Sequence, residues 1–252
     1  MSLSLSFRRL ILLAMVLFVF GLLPWNVGLQ AAQASAPVPE DWVSFGDATG
    51  VGLPDVTVKS AKASEIILLA SIPGARVEKV DLDGQTYTRL GGEGFARLGE
   101  VGAPDLPVVL RQVEIPFGAS YTLEVTRTVG RDTSLDALGL PGVLCPIQPS
   151  QPKCGELPAP VKPDLARYAA ASPAAATVLE ETVVRGHRVL TIAFSPVSYR
   201  SADGSLRLAS QIEVRLRLSG SNLAQTAQMS QRYASPAFEH TLATQILNYN
   251  QG

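Results

Sequence analysis

Two cysteines and two histidines are the residues of this chain that could act as a catalytic nucleophile and its base. Cys145 and Cys154 lie in the run CPIQPSQPKC, whereas His187 adjoins a predicted turn and His240 lies in a predicted helix. Neither cysteine has a histidine nearby in sequence, and the surrounding prolines predict a stiff loop rather than a reactive thiol site. His187 could serve as a general base, but beside a turn it is predicted to be solvated. We therefore assign no catalytic residue, and whether the chain is part of an enzyme stays open.

Several other patterns resemble ligand sites but lack essential parts. Asp81 and Asp83 have the spacing of a calcium loop, but the rest of such a loop is missing, so they are predicted to be turn residues. The glycines of Gly91–Gly94 precede neither a helix nor a Lys-Ser/Thr pair, which excludes a phosphate loop. Three arginines share one face of a predicted strand, but Glu213 lies among them, which favours a solvated sheet face. These arginines are Arg207, Arg215 and Arg217. Two histidines and two cysteines are too few for a metal cluster, and we predict no cofactor.

The composition allows a sizeable core. Hydrophobic residues make up 46% of the 252 residues and charged residues 17%. The 21 glycines and 18 prolines favour many turns over long helices. Because 21 basic residues face 22 acidic ones, neither nucleic acid nor an anionic membrane surface is predicted as a partner.

Residues 1–34 have the three parts of a secretory signal peptide. Two arginines form a basic start, Leu10–Leu23 is an apolar run without charge, and Ala32-Gln33-Ala34 is a small-x-small cleavage motif. The apolar run is shorter than the roughly 20 residues of a membrane-spanning helix, which favours cleavage between Ala34 and Ser35 over an uncleaved anchor. The mature chain is therefore predicted to be secreted, either to a periplasm or outside the cell. It would contact a membrane only through the signal segment before cleavage.

An exported chain with two nearby cysteines most simply forms one local disulfide. A bond between Cys145 and Cys154 would close a loop of about ten residues and contribute roughly 2–3 kcal/mol. Both cysteines lie within residues 140–163, a predicted loop that contains seven prolines. We name this segment the proline-rich loop.

Alternating apolar and polar residues predict a mainly β fold. The clearest strand is Leu206–Leu218, where Leu, Ile and Val residues share one face. Turn dipeptides at Asp83-Gly84, Arg185-Gly186 and Asp203-Gly204 predict three hairpins. Short strands separated by such turns predict an antiparallel β-sandwich, with the proline-rich loop and a short C-terminal helix added to it.

Residues 102–129 are the stretch around which the strand pattern is organised. Two alternating runs, Val113–Phe117 and Tyr121–Val129, flank the small residues Gly118-Ala119, which predicts a chain reversal between two strands. Pro116 has no N–H to donate to a ladder, so this end of the first strand is predicted to be an edge or a bulge.

Changes in composition divide the mature chain into three parts. Residues 35–64 are predicted to be a leader with at most one short strand, near Val56–Val58. Residues 65–219 form the predicted β-sandwich. Residues 220–252 begin as a polar linker and continue as a helix that opens at Ser235-Pro236. The apolar stripe of this helix consists of Phe238, Leu242, Ile246 and Tyr249.

Five segments match one known family in the same order along the chain. The first, Gly102–Tyr121, contains the motifs Gly-x-Pro-x-Leu-Pro-Val and Val-Glu-Ile-Pro-Phe-Gly-Ala. The other four are Arg185–Val189, Ser195–Tyr199, Leu206–Leu218 and Ser235–Glu239. Through these segments, roughly residues 60–250 resemble the amino-terminal prodomain of gingipain-type cysteine peptidases. The matching motifs are structural rather than catalytic.

The resemblance implies a role as the prodomain of a secreted cysteine peptidase precursor. Such a prodomain is an intramolecular chaperone and inhibitor, which covers the active site until proteolysis removes it. Its partner is the peptidase catalytic domain, in the same chain or a separate one. That domain's His–Cys dyad is expected beyond Gly252, so the chain is either a truncated precursor or a prodomain-like protein acting alone. If the partner prefers basic side chains, Lys153 or Arg167 could enter its specificity pocket; otherwise both are surface charges.

A stand-alone secreted β-sandwich that serves as a binding or adhesion module is the alternative. The two functions make different predictions for the end of the chain. A self-sufficient module should pack the apolar face of Phe238–Tyr249 onto its own sheet. A prodomain should leave that face, or the proline-rich loop, exposed for its partner.

Overall fold

The computed structural model describes residues 39–47, 50–150, 158–170 and 172–249. None of the helices within these ranges is long and apolar enough to cross a membrane. The predicted signal peptide, its cleavage site at Ala34 and Ser35, and both Lys153 and Cys154 lie outside the described residues.

The described residues form twelve strands and three helices. The strands are β1 (Trp42–Ser44), β2 (Asp55–Lys62), β3 (Glu65–Ser71), β4 (Gly74–Leu82), β5 (Gln85–Gly91), β6 (Ala96–Arg97), β7 (Pro107–Glu114), β8 (Ser120–Ser134), β9 (Ala176–Val184), β10 (His187–Phe194), β11 (Val197–Arg200) and β12 (Ser205–Ser219). The helices are α1 (Leu165–Ala169), α2 (Leu223–Tyr233) and α3 (Pro236–Gln245). The mainly β prediction is confirmed.

The strands form three antiparallel sheets. The first has the order β6-β7-β10-β9. In the second, β8, β12, β3 and β2 lie side by side, and β11 pairs with the first residues of β12. The third and smallest has the order β1-β4-β5.

The main core joins the two larger sheets. Strand β10 contributes the buried residues Leu190 and Phe194, and β12 contributes Val214 and Leu216, all within one cluster. Side chains at even spacing in a strand point to one face, so each strand presents one apolar face to this core. The predicted sandwich is therefore confirmed.

Two predicted two-residue hairpins have the backbone that such turns require. Asp83 and Gly84 have φ values of 49° and 76°, and Arg185 and Gly186 have values of 51° and 81°. Positive φ at both central residues is the geometry of a type I′ turn, which matches the twist of paired strands. The third predicted hairpin joins β11 and β12, with Gly204 at a φ of 65°.

The turn at Gly118-Ala119 differs from the prediction, because the strands that it joins do not pair. Strand β7 pairs with β10 in the first sheet, whereas β8 pairs with β12 in the second. The chain therefore crosses from one layer of the sandwich to the other at this point. Strand β7 ends at Glu114, two residues before Pro116, as the missing N–H of that proline requires.

The predicted leader takes part in the sheets, which corrects the prediction of at most one short strand. Strand β1 pairs with β4, and the eight-residue strand β2 pairs with β3. Phe45 and Val56 are buried in the main core. The strand predicted near Val56–Val58 is present as β2 but is longer than expected, and β1 was not predicted.

The predicted polar linker contains a helix. Helix α2 has 11 residues, and the side chain of Asn222 caps it by accepting the N–H of Gln225 at 2.9 Å. No residue of α2 is buried, and its content of Gln and Ser was interpreted as that of a linker. The predicted terminal helix is confirmed as α3, with Pro236 as its first residue.

Candidate functional site

The first half of the proline-rich loop is bound to the sandwich through backbone hydrogen bonds. The N–H of Cys145 donates to the carbonyl of Thr88 at 2.7 Å, and its carbonyl accepts the N–H of Asp105 at 2.8 Å. Two residues later, the N–H of Ile147 donates to the carbonyl of Ala103 at 2.8 Å. We call residues 145–150 the outgoing arm of the loop and residues 158–164 its returning arm.

Gly102 connects the two arms. Its N–H donates to the carbonyl of Ile147 at 2.9 Å, and its carbonyl accepts the N–H of Asp164 at 3.0 Å. The φ of Gly102 is 87°, and an added Cβ would lie 3.2 Å from the Cβ of Asp164. Glycine supplies this conformation and this close approach without strain.

The side chain of Gln148 makes a second connection between the arms. Its Nε2 donates to the carbonyl of Pro146 at 3.0 Å and to the carbonyl of Val161 at 2.9 Å. Its Oε1 accepts the N–H of Val161 at 2.9 Å. One carboxamide thus satisfies both backbone groups of Val161, as a neighbouring strand would.

Arg167, one of the two candidate inhibitory residues, lies at the base of the returning arm. Its Nη1 donates to the carbonyl of Val101 at 2.7 Å, and its Nη2 lies 2.7 Å from Glu100. Asp164 caps helix α1 by accepting the N–H of Ala166 at 2.9 Å, and it lies 3.2 Å from Nε of Arg167. The side chain of Arg167 is 37% exposed. These contacts make Arg167 a part of the loop base.

A buried carboxylate lies beneath the outgoing arm. Asp105 is 3% exposed and lies 3.2 Å from Nε of Arg89 and 3.4 Å from Nε of Arg97. Burial raises the pKa of Asp105, and the two guanidinium groups offset only part of this rise.

Cys145 is buried next to this cluster, with its Sγ 3.5 Å from Nη2 of Arg89. Burial raises the pKa of the Cys145 thiol, and Arg89 opposes that rise only in part. A thiol with a raised pKa is a poor nucleophile at neutral pH, which agrees with assigning Cys145 no catalytic role. The pairing of Cys145 with Cys154 stays a prediction.

The predicted apolar stripe packs largely on the first sheet, but it is only partly helical: α3 ends before Ile246, so Ile246 and Tyr249 lie beyond the helix. Leu242 and Ile246 are buried against Val189, and Tyr249 packs against the same group. Phe238 is 43% exposed, with the guanidinium of Arg185 lying 4.0 Å from its ring centroid. By the criterion set from the sequence, the packed part of this face favours a self-sufficient module.

His187 is buried, which shows that the prediction of a solvated turn residue was wrong. It is 3% exposed, and its Nδ1 lies 2.8 Å from Oε1 of Glu114. The ring centroid of His187 lies 5.1 Å from that of Tyr249. The residues that cover His187 are distant in sequence, so local sequence could not reveal its burial.

Asn248 binds the end of the chain to strand β7. Its Oδ1 accepts the N–H of Glu114 at 2.8 Å, and its Nδ2 donates to the carbonyl of Glu114 at 2.9 Å. The N–H of Leu247 donates to the carbonyl of Gln112 at 2.9 Å. The terminal residues therefore cover the edge of β7 near its end.

An apolar cavity of about 420 Å³ opens beside the loop base. Leu98, Leu106, Val108 and Leu179 contribute to its wall, and Arg167 lies at the loop side. Leu98 and Leu179 are exposed. Within the described residues, no group of His, Cys, Asp and Glu side chains is arranged to hold a metal ion.

The solvated arginine face of β12 is ion-paired with neighbouring strands. Arg207 lies 3.2 Å from Asp132, and Arg217 lies 3.2 Å from Glu124. Arg215 lies 3.0 Å from Glu65. These pairs support the interpretation as a solvated sheet face.

Comparison with curated proteins finds similarity to Lys-gingipains. No family model matches the chain. Lys-gingipain HG66 of Porphyromonas gingivalis is 28% identical over 177 residues, which is 68% of this chain and 10% of that relative. Lys-gingipain W83 of the same organism gives the same identity and coverage. The chain thus spans about a tenth of the length of these curated relatives.

Two solved structures share the fold. One, from work on the zymogenic latency of gingipain K from Porphyromonas gingivalis, has a TM-score of 0.60 and 24% identity, covering 71% of this chain and 98% of that chain. The other, a complex of the pro- and mature domains of Porphyromonas gingivalis RgpB, has a TM-score of 0.63 and 17% identity, covering 80% of this chain and 100% of that chain. The chain is an antiparallel β-sandwich of the kind found in these structures. The resemblance to the gingipain prodomain that the sequence predicted is confirmed.

Proposed function

We propose that this chain is the prodomain of a secreted gingipain-type cysteine peptidase precursor, acting as an intramolecular chaperone and inhibitor of the peptidase domain. The observation that carries the proposal is the proline-rich loop, whose two described arms are connected by Gly102 and Gln148, on a sandwich with the fold of gingipain structures. The partner is a cysteine peptidase catalytic domain, joined to this chain or separate from it.

The physical basis for inhibition is a loop that loses little conformational entropy on binding. Prolines fix φ along the loop, and the two connections at its base hold the arms side by side. A segment already restricted in this way can fill a cleft at a lower entropic cost than a flexible one. Lys153 is our candidate for the residue that enters the specificity pocket.

Arg167 acts differently in this proposal. Its guanidinium contacts Glu100, Asp164 and the carbonyl of Val101, so entry into a pocket would break these contacts. We therefore expect the Arg167 side chain to support the loop base, and Lys153 to make the contact with the peptidase.

The exposed apolar wall of the cavity supports a second contact with the peptidase domain. Leu98 and Leu179 lie beside the loop base, so a domain seated over the loop would cover both. In the proposed chaperone role, the same contact covers apolar surface of the peptidase domain while that domain folds.

Inhibition in trans tests this function. The chain without residues 1–34 is added to mature Lys-gingipain and, separately, to the RgpB mature domain, and residual peptidase activity is measured. We expect inhibition of at least one enzyme, with Lys153→Ala weaker and Lys59→Ala, an exposed lysine on β2, unchanged. Full activity of both peptidases at saturating chain would reject these two enzymes as partners. Equal inhibition by the two variants would remove Lys153 as the pocket residue.

A stand-alone secreted binding or adhesion module is the second candidate, favoured by the packing of Leu242 and Ile246 on the first sheet. Reading the coding DNA past Gly252 separates the two functions. A downstream frame that encodes a peptidase domain with a His–Cys pair supports the prodomain. A stop codon, together with no inhibition in trans, supports the binding module.

A further inference from the structure

We propose that the outer edge of β9, together with the arginines and aromatic rings at its end, is a docking site for an extended segment of a partner protein. The segment adds to β9 as an antiparallel strand, with acidic residues at its amino-terminal end, apolar residues at its centre and a basic residue at its carboxy-terminal end. None of the residues that carry this inference belongs to the proline-rich loop, so it is independent of the proposed inhibitory function.

Strand β9 is the last strand of the first sheet, and it pairs with β10 on one side only among the described residues. An unpaired strand edge presents N–H and carbonyl groups in the pattern that a further strand needs. Five of the nine residues of β9 are exposed, so a segment can approach this edge. The register shift between Thr191 and Ile192 marks a β-bulge at Leu179, which ends the regular edge on that side. The usable edge therefore runs over residues 180–184.

Two arginines and two aromatic rings surround the end of this edge. The guanidinium of Arg185 lies 4.0 Å from the ring centroid of Phe238, and that of Arg232 lies 5.5 Å from the ring centroid of Tyr233. A Cβ added to Gly186 would lie 3.2 Å from Cδ2 of Tyr233, so that ring is beside the β9–β10 turn. Both rings are 43% exposed. Neither guanidinium forms an ion pair with a described residue. Arginine, tyrosine and phenylalanine are enriched at the centres of protein interfaces.

Arg185 has a backbone conformation that does not favour arginine. Its φ is 51°, at the first central position of a type I′ turn, where Asn, Asp and Gly are the common residues. Asp83 is the other non-glycine residue with a positive φ in the described part of the chain, and it is of a common type. A strained backbone is typical of binding sites, where contacts to a ligand offset its cost. The position of Arg185 is therefore better explained by an external partner than by the fold.

The order of charges along the edge determines which segment fits. Arg185 and Arg232 are positive at one end, and Glu180 is exposed at the other end without an ion pair to a described residue. Between them, Val183 is 53% exposed and Val184 is 39% exposed. Opposite charges and apolar pairs across neighbouring strands are favourable, whereas like charges directly opposite are not. A segment that runs antiparallel to β9 meets the positive end first, so its first residues should be acidic and its last residue basic.

Glu181 does not change this order, because its carboxylate is already paired with Nε of Arg188 at 2.7 Å. The same residue disfavours a second copy of this chain as the occupant. Two β9 edges aligned about Glu181 would bring like charges directly opposite each other. The antiparallel direction is expected because antiparallel pairing is slightly more stable per residue than parallel pairing.

Three substitutions separate binding from folding. Arg185→Asn removes a guanidinium but suits the positive φ, so this variant should be at least as stable as the parent chain. Arg232→Gln removes the second guanidinium from the last turn of α2. Lys79→Gln is the control, because it removes one positive charge from an exposed position on β4 in the third sheet.

The probe is the fluorescein-labelled peptide Asp-Glu-Val-Thr-Val-Thr-Lys-Lys, placed so that its Glu lies opposite Arg185 and its first Lys opposite Glu180. Its binding to the chain without residues 1–34 is measured by fluorescence anisotropy at low salt, and the amide shifts of β9 are followed by NMR. We expect the peptide of reversed sequence, which has the same composition, to bind about threefold more weakly or less. Both arginine variants should weaken binding of the probe by about threefold or more, with Lys79→Gln unchanged. Absence of binding, equal binding of the two peptides, or unchanged binding by both arginine variants would overturn the proposal.

Two measurements without peptide complete the test. Light scattering should show a monomeric parent chain. A dimer that Arg185→Asn dissociates would show that a second copy occupies the edge, which would reject the partner segment. Thermal unfolding should give Arg185→Asn a Tm at or above that of the parent chain. A lower Tm would show that the Arg185 side chain serves the fold, which would remove its conformation as support for binding.

Discussion

The backbone of Gly102 connects both arms of the proline-rich loop, and its φ of 87° disfavours any side chain. Gly102→Ala should lower the free energy of unfolding by about 1–2 kcal/mol, because the added Cβ strains the backbone and approaches Asp164. Chemical denaturation followed by circular dichroism measures the change. The control is Gly142→Ala, in the same loop, where an added Cβ meets nothing within 4 Å and φ is not positive. A loss of stability as large at Gly142 as at Gly102 would contradict the explanation.

Asp105 gives the chain a pH dependence of known sign. Burial raises its pKa in the folded chain, so the unfolded chain releases this proton at a lower pH. The stability that protonated Asp105 provides is complete below the unfolded pKa, about 3.9, and is lost as pH rises through the folded pKa. The free energy of unfolding of the parent chain, minus that of Asp105→Asn, should therefore fall as the pH rises from below the unfolded pKa through the raised folded pKa.

Asp203 is a control for which the opposite pH dependence is expected. Hydrogen bonds from Ser205 lower the pKa of this exposed carboxyl, so the corresponding difference for Asp203→Asn should rise with pH. Urea unfolding at a series of pH values gives both differences. A rise with pH at Asp105 would show that its two arginines outweigh burial.

At the scale of strands and helices, local patterns predicted pairing only between neighbours in sequence. Asp83-Gly84 and Arg185-Gly186 fix two-residue turns, and the strands on either side pair as predicted. Gly118-Ala119 also marks a turn, but whether the flanking strands pair depends on partners about 70 to 100 residues away, as the pairing of Val113 with Leu190 shows. Helix α2 escaped prediction because its content of Gln and Ser resembles that of a linker, although Asn222 supplies an N-cap.

The side chain of Asn248 connects the segment after α3 to strand β7. Asn248 is buried and satisfies both backbone groups of Glu114. Asn248→Ala leaves these groups without partners and should cost about 1–3 kcal/mol of stability. Thermal unfolding and faster amide exchange at Glu114 measure the effect. Gln245→Ala, exposed and three residues earlier, should change neither quantity.

For the molecule as a whole, the fold was more predictable than the candidate site. Composition and alternation predicted the sandwich and the proline-rich loop, because burial of one face per strand repeats along the sequence. The loop base depends on single contacts between distant residues, such as Gly102 with Asp164 and Gln148 with Val161, and such contacts leave no local pattern. The burial of His187 was missed for the same reason.

The two apolar clusters are separate, and this predicts how folding and stability change when residues 221–252 are removed. Val189, Leu242 and Ile246 form a cluster distinct from the main core. A chain that ends at Gly220 should therefore keep a folded sandwich, but lose about 3–5 kcal/mol of stability with two buried aliphatic side chains. It should also self-associate, because Leu247 and Asn248 no longer cover the edge of β7.

Light scattering after size-exclusion chromatography, with near-ultraviolet circular dichroism, measures association and folding of this shortened chain. The matched control is the double variant Leu242→Ala with Ile246→Ala, which removes the same apolar contacts but retains the backbone that pairs with β7. The control should lose stability and stay monomeric, because an open strand edge, rather than the uncovered Val189, promotes self-association. Association of both chains would show that the exposed apolar surface is responsible. A monomeric shortened chain would show that the edge of β7 needs no cover.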